Sequence, residues 1–92
     1  MIASFPFLTN AGTYLDLHKA LIFKQDRQYG KAFPILLHLS ENGLVRAQME
    51  LADMYVHGHG IRKNNDEAIY WACKAAESVK VSYKISSEDY IE

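Results

Sequence analysis

The stretch AQMELADMYVHGHGIRKNNDEAIYWACKAAE at residues 47–77 decides the fold. It opens on an apolar run at helical spacing: Ala47 or Met49, Leu51, Ala52, Tyr55 and Val56. Gly58 and Gly60 then break the run and turn the chain. Asn64 supplies a side-chain oxygen for a new helix start, and Asp66 and Glu67 follow where carboxylates complement the helix dipole. Ala68, Ile69, Trp71, Ala72, Ala75 and Ala76 carry that second helix onward. The unit is an antiparallel helix pair, expected as a helix over 45–57 and another running to about 79.

A shorter-looped pair precedes it. The first helix is expected over 13–24, capped by Thr13, with Leu15, Leu17, Ala20, Leu21 and Phe23 apolar. The second is expected over 29–42, where Ala32, Phe33, Leu36, Leu37, Leu39 and Ser40 form a wide stripe. Pro34 is read as falling in the first turn, where a missing N–H is harmless. Asn42-Gly43 closes that helix. Turns are therefore expected at 25–28, 42–44 and 58–64.

The two pairs are repeats of one another. Ala32 and Ala68 stand 36 positions apart, as do Glu41 and Glu77, Val45 and Val81, and Asp53 and Asp89. The period decays after Val79, since Gly43, Leu51 and Ala52 are answered by Val79, Ser87 and Glu88. Residues 80–92 are read as a degenerate third unit or as a cap on the last helix. The whole chain is one domain: a first pair at 13–43, a second at 44–79, then the tail.

Ala47, Leu51, Tyr55, Gly58, Gly60, Ile61, Ala68, Trp71, Lys74, Ala75 and Ala76, in that order and spacing, resemble the SEL-one-like repeat. That family is a relative of the tetratricopeptide repeat. Ala52 departs from its usual Gly, Asn64 from Asp, Ala72 from Tyr and Val79 from the closing Gly. The upstream pair is more similar to a plain tetratricopeptide unit, because Phe23 and Ala32 are 9 apart where Tyr55 and Ala68 are 13 apart. The resemblance implies an all-α fold, a fragment of a right-handed α-solenoid of stacked helix pairs. It implies a non-enzymatic scaffold that binds a protein or peptide partner, of adaptor or inhibitor type. Small bacterial proteins with similar repeats include immunity partners of secreted toxins.

Composition agrees with a binding module. The net charge is −1 with both signs interspersed, so no basic stripe invites nucleic acid. No stretch is long enough to span a bilayer, and residues 1–12 lack the basic start of a signal peptide. Cys73 is the single cysteine, which suits a reducing, cytoplasmic setting. No cofactor is expected.

Candidate sites follow from the repeat. Ala32, Leu51, Ala52, Tyr55, Gly58, Gly60, Ala68, Trp71 and Ala75 are expected to be structural, with Ala32, Ala52, Ala68 and Ala72 at helix crossings. Trp71, Tyr55 and Phe33 are read as core and not as a ligand cage. The first helix of each pair is expected to line a concave partner-binding groove. That groove would present Tyr14, Leu17, Leu21 and Lys24 from one helix and Arg46, Met49, Asp53 and His57 from the other. Alternatively the FPFL segment at 5–8 covers Leu17 and Leu21. Asp53, His57 and His59 are the cluster that a metal-binding protein or metal-dependent enzyme would use. Placing both histidines at variable loop positions, in a solvated turn, is the stronger reading. No nucleophile has a base at a recognisable spacing. The apolar terminal segments either fold back as caps or pack on another chain, a homodimer included; contact with another chain is favoured.

Overall fold

The computed structural model describes the backbone over residues 11–90 and the side chains over 12–79. The described chain is all-α: α1 (Ala11–Gln25), α2 (Tyr29–Glu41), α3 (Val45–His57) and α4 (Asn65–Tyr90). Each helix packs on the next in sequence, α1 on α2, α2 on α3 and α3 on α4. The terminal segment at 2–8, expected to cap, cover or bind, lies outside the described residues.

Small residues at the crossings let the helices approach. Ala20, Ala32, Ala47, Leu36, Leu51 and Met54 are fully buried, and Ala52, Ala68, Ala75 and Trp71 nearly so. Phe33 and Tyr55 meet edge to face, with centroids 5.7 Å apart. That geometry lets the positive edge of one ring meet the face of the other. Ala72 differs from expectation. It is exposed, because α4 meets its partner helix through Ala68, Trp71 and Ala75 and no described element covers the next face round.

The turn from α2 to α3 is a glycine-closed helix end. The Leu44 amide donates to the Leu39 carbonyl and the Gly43 amide to the Ser40 carbonyl, with Gly43 at φ +94. This crossed pair satisfies carbonyls that the last helical turn leaves open. The turn from α1 to α2 uses the same two bonds without a glycine. Gln28 donates to Phe23 and Arg27 to Lys24, and Arg27 itself adopts φ +64.

Three helix details depart from the sequence reading. α1 begins at Ala11, so Thr13 lies inside its first turn and not at the cap. Pro34 is the sixth residue of α2 and lies inside the helix. Only the first four amides of a helix lack an acceptor, so Pro34 leaves the Gly30 carbonyl without its helical donor. Both residues are exposed, and water can serve that carbonyl. Finally, α4 continues past Val79 to Tyr90. Val79 stands where Gly43 ends α2, 36 positions earlier, and a valine offers no left-handed stop.

Asn64 starts α4 as its type suggests. Its side-chain oxygen accepts from the Glu67 amide at 3.1 Å, and its carbonyl from the Ala68 amide. The Asn64 amide in turn donates to the Tyr55 carbonyl, which ties the loop closed across its mouth.

Candidate functional site

α1 and α3, the first helices of the two pairs, present their side chains to one shallow depression of about 510 Å³. At its centre Lys24 reaches from α1 to α3 and donates to both Glu50 and Asp53, the latter at 2.9 Å. Arg46 adds a second cation to Glu50 at 2.9 Å, one helical turn away on α3. Two cations and two carboxylates thus form one network across both units.

Burial and pairing compete in this network, and pairing wins. Burial would lower the Lys24 pKa, but hydrogen bonds and charge from Glu50 and Asp53 hold it above the ordinary lysine value. Burial would raise Glu50, yet Lys24 and Arg46 hold it below the usual carboxylate range. For Asp53 the Lys24 hydrogen bond is the leading influence, and it too lies low. An isolated surface pair contributes little, whereas a shared, half-buried network is better ordered.

Leu21 and Tyr29 border the charges, and His59 closes the far side. His59 stacks on Tyr29 with centroids 4.1 Å apart, and its amide donates to the Met54 carbonyl. It is therefore a packed loop residue and not the solvated turn imidazole that its position suggests. His57 is the exposed one, with Nδ1 3.0 Å from the Asp53 carbonyl and 3.2 Å from its carboxylate. The His57 and His59 rings lie near-parallel at 5.3 Å. Among the described residues, no group of three His, Cys, Asp or Glu gathers as a metal would need.

Of the eight groove candidates, Leu21, Lys24, Arg46 and Asp53 line the depression together. His57 joins through Asp53. Tyr14 and Met49 are more than half exposed, at 56% and 54%. Leu17 packs instead against the core. Glu50, Gln25, Tyr29 and His59 also line the depression. For Glu50 a signal existed in sequence, its i+4 spacing from Arg46. The bond from Lys24 to Glu50 joins residues 26 positions apart and had no such signal.

The family comparison bears on the second unit. Residues 45–78 match the model of the Sel1 repeat. The match spans α3, the loop and α4 as far as Ser78, and leaves α1 and α2 outside it. Sel1 repeats are generally protein–protein interaction modules, and proteins built from them are typically non-enzymatic scaffolds. No curated protein and no solved structure matches the chain. No helix among the described residues is long and apolar enough to cross a membrane.

Proposed function

We propose that this chain is a non-enzymatic adaptor or inhibitor that holds a protein partner in the depression between α1 and α3. The supporting observation is the Lys24–Glu50–Asp53–Arg46 network. It sets alternating charges beside Leu21 and Tyr29, with exposed Tyr14 and Met49 farther along the same two helices. Alternating charge next to an apolar strip suits a helical or extended peptide that carries both kinds of side chain. Such sites read a partner by complementarity of charge and add affinity through a few apolar anchors. The near-neutral charge gives no support to a nucleic-acid target, and the lone thiol fits a cytoplasmic setting.

The test is affinity purification from the native cell, followed by titration of the recovered partner against purified variants. Met49→Asp and Tyr14→Asp alter exposed side chains and leave the helical circular dichroism unchanged. Each is expected to weaken the partner by about tenfold or more, the size of a moderate interface residue. A partner that binds both variants as tightly as the parent would refute the groove as its site.

A further inference from the structure

A second recess, of about 410 Å³, opens where the end of α2 and the start of α3 meet α4. Buried Ser40 and Gln48 form its floor, and exposed Glu41, Glu77 and Lys74 stand at its mouth. It shares no lining residue with the depression between α1 and α3.

The floor is polar where the other helix contacts are alanine and leucine. Ser40 and Gln48 are 1% and 3% exposed. Gln48 Nε2 donates to the Ser40 carbonyl at 3.1 Å. Only the amide nitrogen can donate to a carbonyl, so this bond fixes the side-chain orientation and leaves Oε1 as a pure acceptor. Among the described residues, neither Gln48 Oε1 nor Ser40 Oγ has a hydrogen-bond partner. Buried oxygens left unpaired cost stability, and nothing in the internal packing offsets that cost.

The surroundings favour a positively charged donor. Ser40 and Glu41 are the last two residues of α2, whose C-terminal end carries partial negative charge. Glu41 and Glu77 occupy the same step of the two repeats, and neither is ion-paired among the described residues. Lys74 is the cation lining the recess, and its Nζ lies 5.7 Å from the centroid of the Tyr70 ring, one turn back along α4. Acceptors from three helices therefore converge on a space whose own lysine is engaged elsewhere.

We propose that this recess takes an arginine side chain of a protein partner. A guanidinium carries its N–H donors in a rigid planar fork, which suits neutral oxygens on the floor and carboxylates at the mouth together. It is also more weakly hydrated than a lysine ammonium and enters a sheltered site at lower cost. The mouth side chains are long and exposed, so they swing aside on entry. A divalent metal is a poorer fit, because no three acidic or imidazole groups gather among the described residues.

The proposal rests on the reading that the chain binds a protein, and not on the groove as the place where it does so. The full chain, isotope-labelled, is titrated with Nα-acetyl-arginine amide and with Nα-acetyl-lysine amide while the Gln48 side-chain amide is followed by NMR. The expected result is a saturable shift with Kd of ~1 mM for the arginine probe, and binding of the lysine probe weaker by about fivefold or more. Glu77→Gln and Ser40→Ala each weaken the arginine probe by about threefold or more, while Lys74→Met strengthens it. All three variants retain helical circular dichroism. The groove variants Met49→Asp and Tyr14→Asp leave the titration unchanged, which separates failure of this site from failure of the groove. The proposal is overturned by no saturable shift at about ten times that concentration, by equal binding of the two probes, or by a Kd unchanged in both Glu77→Gln and Ser40→Ala. Free arginine binding more tightly than the capped probe would mark a small-molecule site and would overturn it equally.

Discussion

A Cβ on Gly60 would stand 2.6 Å from the carbonyl oxygen of Tyr29. The loop of the second unit thus lies directly on the first turn of α2, backbone against backbone. Gly60 also holds φ +82, a conformation that costs a side-chain-bearing residue about 1–2 kcal/mol. Gly43 has φ +94 but open space around its missing Cβ. Gly60→Ala is therefore expected to destabilise clearly more than Gly43→Ala, by about 1–3 kcal/mol beyond the shared conformational cost. Urea denaturation of both variants measures the difference, and equal losses would contradict the close approach.

Arg27 adopts the left-handed conformation that Gly43 adopts at the equivalent turn. Its side chain is exposed, so replacement removes little packing. Arg27→Gly is expected to stabilise the chain by about 0.5–1 kcal/mol, the strain relieved less the extra freedom of glycine in the unfolded chain. A raised denaturation midpoint at unchanged slope supports this; a lowered one refutes it.

Ala68 lies 4% exposed where α4 crosses α3. Enlarging it to leucine overpacks that crossing and is expected to cost on the order of 1–3 kcal/mol. The exposed Ala72, one turn later, is the control. Ala72→Leu should leave the monomer's stability within about 0.5 kcal/mol. Calorimetry that ranks the two variants the other way round would show the crossing to be elsewhere.

Glu50 titrates below its ordinary value of 4.5 in the folded chain. Its ion pairs therefore contribute stability above that value, and the contribution is lost as pH falls through the folded pKa. Lys24 is raised above 10.5, so its contribution is complete below that value and is lost as pH rises through the folded pKa. The stability gap between the parent and Glu50→Gln is expected to narrow as pH drops below about 4.5. Denaturation at a series of pH values measures the gap; a gap that stays constant from neutral to strongly acid pH would exclude the network as its cause.

The helix pairs were readable because apolar spacing and glycine punctuation are local properties of the chain. Asn64 at the start of α4 and Gly43 after α2 work through their own backbone and nearest turns, so residue type alone indicates them. Arg27 is different. Nothing in an arginine announces φ > 0, and the turn holds because two backbone bonds and the packing of α1 on α2 impose it. Pro34 was misplaced by two residues within a correctly placed helix, and the solvent beside Gly30 makes that position tolerable. The groove was half visible. Repeat equivalence pointed to Lys24 and Asp53, and the spacing from Arg46 could have added Glu50, but Tyr29 enters only when α1, α2 and α3 are brought together. His59 looked like a solvated loop residue because its stacking partner lies thirty positions away in the first unit.

Lys24 is a clasp as well as a groove residue. It ties its unit to that of Glu50 and Asp53 in addition to the packing of α2 on α3 and the stacking of His59 on Tyr29. Salt screens exposed charges over about 10 Å at 0.1 M but partly buried pairs much less, so the Lys24–Glu50 bond outlasts ionic strengths that weaken a surface pair. A partner therefore meets two units already joined along the groove that it would occupy. Salt dependence in a binding assay is then expected to report on exposed Arg46 more than on sheltered Lys24.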